Sequence, residues 1–331
     1  MQSTTQIGGD VGSSFSPEAH SNETVHRFHV RPADVGILGF VDGGTLLEWI
    51  DAAAYATAAQ WCGGHCVAAS VGNFHLDQPI SAGELVVMHA SLVYTGRSSM
   101  HILVTIHTSD PTRARAAQTS QCPIIFVAVD AAGRPVEVPG STPVSMLDLQ
   151  RHRQARVRIR MRKRVEDAMS AQSYTAAGTA QRATLRFRAA PTDTNGGGDV
   201  RAGRVMRWID ETSYVCGADW TGADAVTSYI AGIRFYRPIF VGDVAEVAAR
   251  LLHTGPRSVH IGVHVTTESQ LVAVALVVMV SLDERGDARP VPPWEPVSDE
   301  DHRLDQYARH LIELRHFLEP FTIASPDILQ C

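Results

Sequence analysis

Two aspartates in this chain sit inside the same uncommon phrase. Asp51 closes "TLLEWID" and Asp210 closes "RVMRWID", and in each copy a Tyr and a second Trp follow. Asp51 falls in the second turn of an expected helix, beside Ala52, Ala53 and Ala54, whose small side chains leave room for a ligand. A carboxylate placed there can take a proton from water as a general base or attack a carbonyl carbon directly. Asn195 opens "NGGGDVRAG" and brings an amide that both donates and accepts hydrogen bonds. Each residue also has a plainer reading. An Asp in an amphipathic helix is ordinarily solvated, and an Asn ahead of three glycines suits a turn.

The elements that must position these groups come in two copies. Asp51 and Asp210 are 159 residues apart, as are Trp49 and Trp208, and Trp61 and Trp220. At that offset residues 27–108 align with 186–267 without a gap, about a third of them identical. Pro79-Ile80 falls on Pro238-Ile239, Gly96 on Gly255, and His101-Ile102 on His260-Ile261. Beyond Ser109–Gln118 the offset becomes 153, so the second copy has lost six residues from one loop. A period this long is a duplicated domain and no solenoid repeat.

Each copy reads as a short strand ("RFHV"), a glycine-rich loop and a helix from about Gly44 to Trp61, then strands in "VAASVGNF", "ELVVMHASLVYT", "MHILVTIHT" and "CPIIFVAV". The helix stripe Leu46, Leu47, Ile50, Ala53, Ala54, Thr57, Ala58 and Trp61 recurs at three- and four-residue steps; Val205, Met206, Ile209, Cys216 and Trp220 repeat it. A charged helix closes each unit: "LDLQRHRQARVRIRMRKR" and "DHRLDQYARHLIELR". This order predicts an α+β fold of two tandem units, each an antiparallel sheet wrapped on a central helix. The expected divisions are a disordered tail over 1–24, a first domain over 25–140, a linker with a basic helix over 141–183, a second domain over 184–295, and a C-terminal helix and tail over 296–331.

Composition sets outer bounds. The 331 residues are 44% hydrophobic and 19% charged, with a net charge of −6, which speaks against a nucleic-acid partner. The run Arg151–Arg164 holds eight basic residues in 14 and reads as a solvated or acid-paired helix between domains. No stretch is long and apolar enough for a transmembrane helix, and the polar N-terminus lacks the apolar core of a signal peptide. Five cysteines (Cys62, Cys66, Cys122, Cys216, Cys331) without a spaced framework predict free thiols and a cytoplasmic location. Cys62-Gly-Gly-His65-Cys66 lacks a second cluster to complete a zinc site, so neither metal nor cofactor is expected. His75, His89, His101, His107 and His260 fall in strands, outside any triad-like context. Trp49, Trp61, Trp208 and Trp220 read as core anchors.

With these motifs together, the chain resembles the hotdog-fold acyl-CoA thioesterases, most closely the cytosolic acyl-CoA hydrolases with tandem domains. The resemblance rests on "NGGGDVRAG" leading to "RVMRWID", "GILGFVDGG" leading to "TLLEWID", "RPIFVGD" (Arg237–Asp243) and "GRSSM" (Gly96–Met100), and it covers nearly the whole chain after the tail. It implies a double hotdog, hydrolysis of fatty acyl-CoA to free acid and CoA, and further association, commonly as three hotdog pairs, hence a trimer of this chain without stable membrane insertion.

In that family the loop Asn and the helix Asp act together across the interface of two units. Carried over, Asn195 with Asp51 makes a complete pair, while Gly36 stands where Asp210 would need its Asn. One working site per chain is therefore implied, with Gly36 and Asp210 as a degenerate second. The amides at the helix start, Ala202 and Gly203, are the expected oxyanion donors. Arg97 and Ser98 in "TGRSSM", and Arg257 in "TGPRSV", are candidates for the CoA phosphates. Two other readings remain open. One is a catalytically weak acyl-CoA-binding or regulatory protein, suggested by Gly36 and by "QPI" where the family has Arg before Pro. The other is a hotdog enoyl-CoA hydratase, against which stands the lack of a His in either loop.

Overall fold

The computed structural model describes residues 22–36, 38–76, 79–109, 116–170, 175, 177–195, 197–283, 287–315 and 321. The first unit runs β1 (Glu23–His29), α1 (Gly43–Cys62), β2 (Cys66–Val71), β3 (Phe74–His75), β4 (Leu85–Thr95), β5 (Ser99–Ser109), β6 (Ala116–Ala128) and α2 (Met146–Ser170). The second repeats it as β7 (Arg182–Arg188), α3 (Ala202–Thr221), β8 (Val226–Phe235), β9 (Val244–Thr254), β10 (Val259–Thr267), β11 (Gln270–Val280) and α4 (Asp299–Arg315). The strands form one sheet in the order β1-β4-β5-β6-β2-β8-β11-β10-β9-β7, with β3 also pairing β8. Mirror order about the β2–β8 seam is what a duplicated unit produces when it pairs with its own copy. The seam is antiparallel, Ser70 opposite Arg234 and Val71 opposite Ile233. The expected double hotdog is the architecture observed.

The helix stripe works as its periodicity dictates. Leu46, Leu47, Ile50, Ala53, Ala54 and Ala58 are buried, as are Val205, Met206, Ile209 and Cys216, in a core shared by both units. Each large aliphatic side chain buried there contributes about 1.5–3 kcal/mol. Both helices end on a left-handed glycine, Gly63 at φ 64° and Gly222 at φ 67°, conformations a side chain would strain. Their starts differ. Asp42 caps α1 by accepting from the Thr45 amide at 2.6 Å, whereas Arg201 precedes α3 with no capping side chain.

The tandem tryptophans split by role. Trp208 is fully buried, stacked on Phe187 at 5.3 Å, and Trp49 stacks on Phe28 at 4.9 Å. Trp61 and Trp220 are only half-buried. Their indole N–H groups donate to Pro139 O at 3.0 Å and Pro292 O at 2.9 Å, pinning the segment that leaves each sheet. These two are straps as much as core anchors.

Other expectations need correction. Strand β1 begins at Glu23, so the last two residues assigned to the tail pair with β4; residues 1–21 lie outside those described. The basic helix α2 is no solvated linker. It packs on β4, with Ala155 buried beside Val93, Leu103 and Phe321, and the Arg158 guanidinium lies 4.2 Å above the Phe321 ring. Helix α4 docks on the sheet through Leu304, Ala308 and Leu311, packed on Leu252, Val274 and Leu276, and through charge: buried Arg250 donates to Asp301 at 2.7 Å and to Glu300, and His253 meets Asp305 at 2.7 Å. The six residues lost from the second copy leave a two-residue turn, Glu268-Ser269, with both φ values positive (47° and 63°) between β10 and β11. Of the C-terminal tail, residues 316–320 and 322–331 lie outside those described.

Candidate functional site

Helices α1 and α3 cross so closely that the crossing itself builds the sites. A Cβ on Gly44 would lie 3.2 Å from Arg207 Cα, and one on Gly203 would lie 3.0 Å from Glu48 Cα. This approach carries each aspartate to the N-terminus of the opposite helix. The Gly203 amide donates to Asp51 Oδ2 at 2.9 Å, and the Gly44 amide donates to Asp210 Oδ2 at 2.9 Å. Glu48 bridges the same crossing, accepting from Arg207 Nη1 at 3.0 Å.

Neither aspartate is solvated: Asp51 is 4% exposed and Asp210 8%. Burial raises both carboxyls to about 6, against the pull of the amide each accepts. They differ at the second oxygen. Thr227 donates its hydroxyl to Asp210 Oδ1 at 2.5 Å, while Asp51 Oδ1 is buried without a hydrogen-bond partner among the described residues. The repeat explains this, because Ala68 holds the position of Thr227 in the first copy. It also explains the Ala202-Gly203 pair. A Cβ on Gly43 would lie 2.6 Å from Asp210 Oδ1 and 2.9 Å from Thr227 Cβ, whereas the missing Thr leaves room for the methyl of Ala202.

Asp51 and Asn195 line one cavity of about 260 Å³, with Ala202, Arg201, Arg237, Asp199 and Tyr55. Its apolar wall comes from Phe126, Val127, Val205, Ile239 and Val272. Asp210 and Gly36 line a second of about 330 Å³, with Asp42, Arg207, Glu211, Asp224 and Tyr214. Each cavity thus takes its aspartate from one unit and its loop residue from the other. The sequence expectation is not met at Gly203, whose amide holds Asp51 and so is not free for an oxyanion. Ala202 at the uncapped start of α3 remains on the cavity wall.

The loop side of the Asp51 cavity is closed by residues the motif comparison did not single out. Asn195 Nδ2 donates to Asp199 Oδ2 at 3.2 Å, and Asn195 Oδ1 accepts from the Gly197 amide at 2.9 Å. His65, from the other unit, places Nε2 3.0 Å from Asp199 Oδ1. Arg201 and Arg237 bring positive charge to the same cavity. All of these could have been flagged by reading the differences between the copies: Arg201 stands over Asp42, Asp199 over Phe40, His65 over Asp224, and Arg237 over Gln78.

Of the candidates for CoA, Arg97 is 85% exposed and pairs with Glu137 at 2.8 Å. Its turn adjoins the Asp51 cavity, since Ser98 O accepts from the Ala128 amide and Arg97 O from the Val138 amide, flanking the cavity residues Val129, Gly133 and Pro135. Arg257 belongs to the equivalent turn of the second unit, between β9 and β10, and is not among the residues lining that cavity. Cys62, Cys66, Cys122 and Cys216 are free thiols, and burial pushes Cys216 up to about 12. No helix among the described residues is long and apolar enough to cross a membrane.

Comparison with known proteins identifies the family of the chain. Residues 38–114 and 197–274 each match the thioesterase superfamily. The chain is 24% identical over 315 residues to the cytosolic acyl coenzyme A thioester hydrolase of Mus musculus, covering 86% of this chain and 81% of that one. It is 31% identical over 117 residues to the acyl-CoA thioester hydrolase YciA of Salmonella typhimurium, covering 33% of this chain and 88% of that one. The crystal structure of an acyl-ACP thioesterase from Bacteroides thetaiotaomicron superposes with a TM-score of 0.51 at 12% identity, over 78% of this chain and 98% of that one, a likeness of fold.

Proposed function

Because the chain belongs to the thioesterase superfamily, we propose that it hydrolyses acyl-CoA thioesters to the free acid and CoA, at one site per chain formed by Asp51 and Asn195. The observation that carries this reading is the state of the Asp51 carboxylate. One oxygen is anchored by the Gly203 amide and the other has no hydrogen-bond partner among the described residues, in a cavity that also holds Asn195. At pH 7 a carboxyl titrating at about 6 is mostly ionised yet still basic enough to accept a proton.

In this mechanism Asp51 Oδ1 takes a proton from water as the water oxygen bonds to the thioester carbon. The carbonyl oxygen becomes an oxyanion, met by the Ala202 amide at the start of α3 and by Asn195. The C–S bond then breaks, and the proton held by Asp51 leaves with the CoA thiolate. The apolar wall takes the acyl chain, and Arg201 and Arg237, with Arg97 and Ser98 beside the cavity, face the phosphates of CoA. The Gly36–Asp210 cavity lacks the amide, and Thr227 occupies the oxygen that would act.

The test is release of free thiol from acyl-CoAs of increasing chain length, by wild type and Asp51→Asn side by side. Turnover that the substitution abolishes is expected. A folded wild type that binds acyl-CoA without releasing thiol would make the protein a binder instead. Solvent oxygen-18 found in the Asp51 carboxylate after a single turnover would replace the general base with a nucleophile. A cytosolic location and a trimer of chains belong to the same proposal. The mouse relative's name supports the first. The second rests on the motif resemblance alone, and light scattering checks it.

A further inference from the structure

We propose that His65 is a positioning residue that fixes the Asn195 amide through Asp199, so that one unit sets the geometry of the other unit's reactive loop. The proposal rests on the reading of Asp51 and Asn195 as the reactive pair. Three contacts run in series: His65 Nε2 to Asp199 Oδ1 at 3.0 Å, Asp199 Oδ2 from Asn195 Nδ2 at 3.2 Å, and Asn195 Oδ1 from the Gly197 amide at 2.9 Å. Both ends of the Asn195 amide are therefore occupied, which decides which atom is oxygen and which nitrogen and holds the plane of the group.

The imidazole is itself held. Its backbone carbonyl accepts from the Val129 amide at 3.0 Å, tying the residue to a wall of the same cavity. Its ring packs against the loop so tightly that a Cβ on Gly197 would lie 2.4 Å from His65 Nε2. A side chain at 197 would push the ring from its place beside Asp199.

The degenerate site supplies an internal control. Where Asn195, Gly197, Asp199 and His65 meet beside the Asp51 cavity, the repeat places Gly36, Leu38, Phe40 and Asp224. All four positions differ together, and Asp224 instead accepts from the Tyr214 hydroxyl at 2.6 Å. A residue serving only the fold would be needed at both turns, because both follow the same helix and the same left-handed glycine. The relay is present only where there is an amide to orient.

The experiment compares His65→Leu, His65→Gln, Asp199→Ala and the Leu–Ala double variant, with Asn195→Ala as reference. A misplaced amide costs turnover more than affinity, so His65→Leu should lower kcat about 10- to 100-fold with KM within about threefold. His65→Gln, which keeps a donor, should recover most of that loss. The double variant should be no slower than Asp199→Ala alone, since the two residues act in one chain. Melting temperatures of His65→Leu and His65→Gln should agree. The proposal is overturned if His65→Leu matches wild type, if Leu and Gln are equally impaired, or if the two losses multiply. An Asn195→Ala variant as fast as wild type would overturn the reading of the site itself; a dead Asn195→Ala beside an active His65→Leu would overturn the relay alone.

Discussion

The two cavities of this molecule are built by the same crossing of two helices, yet they differ in four ways that all bear on one reaction. In each, an aspartate raised to about 6 by burial accepts from the opposite helix's N-terminal amide. In the Asp51 cavity the second carboxylate oxygen has no hydrogen-bond partner among the described residues, Asn195 is present, the helix start is uncapped, and Arg201 and Arg237 supply positive charge. In the Asp210 cavity Thr227 holds the second oxygen, Gly36 replaces the amide, Asp42 caps the helix, and Asp42, Glu211 and Asp224 outnumber Arg207. The two arginines of the first cavity balance Asp51 and Asp199, whereas the second is net acidic and repels a polyanion such as CoA. The difference teaches that duplication kept the scaffold of both sites, while the groups that meet a substrate drifted apart.

The largest test of that contrast is a matched pair of substitutions. Asp51→Asn should lower kcat for acyl-CoA about a thousandfold, and Asp210→Asn should change it by no more than about threefold, read as thiol release. Equal losses would mean that both cavities work. Next comes pH. Asp51 must be ionised to accept a proton, so kcat/KM should fall as the pH drops through about 6. Rebuilding the Asp210 environment around Asp51, with Ala68→Thr and Ala202→Gly together, puts a hydroxyl donor on Oδ1 and should lower kcat about tenfold or more, while the acidic limb stays near 6, where Asp210 also titrates beside Thr227. An unchanged kcat would show that Oδ1 is not the oxygen that takes the proton.

Stability gives a smaller effect with a defined sign. Because burial raises the Asp51 carboxyl from 3.8 to about 6, the folded chain holds this proton more tightly than the unfolded chain. The stability so gained is complete below 3.8 and lost as the pH rises through about 6. Asp51→Asn removes the burial cost of the charge, so it should stabilise the protein at pH 8 by on the order of 1–3 kcal/mol, with no such gain at pH 3.5, in urea titrations at the two pH values. Smallest of all, Arg237→Gln should raise KM for acyl-CoA a few-fold with kcat unchanged, and the effect should fade with added salt.

How much of this was legible beforehand varies by element. The stripe from Leu46 to Ala58 announced its own burial, because one helical face of apolar residues has only one stable environment. The pairing of Asn195 with Asp51 could be proposed because the motif resemblance carried a rule about opposite units. The basic helix misled, since charge counts do not say which stems lie along a sheet; Ala155 and Arg158 do lie there. The burial of Asp51 was also illegible, because helix periodicity does not reveal that a second helix crosses at the very turn bearing the carboxylate.

The sequence by itself determined that there are two units, what each contains, and which positions no longer agree between them. Those are properties of order along the chain, and a repeat at a fixed offset displays them directly. Only the tertiary structure decided that Asp51 meets the Gly203 amide, that its other oxygen has no partner among the described residues where Ala68 stands in place of the second copy's threonine, and that His65 reaches Asp199 on a loop 134 positions away. Such contacts depend on the distance between two helix axes, which the glycines at 44 and 203 permit but no spacing along the chain encodes.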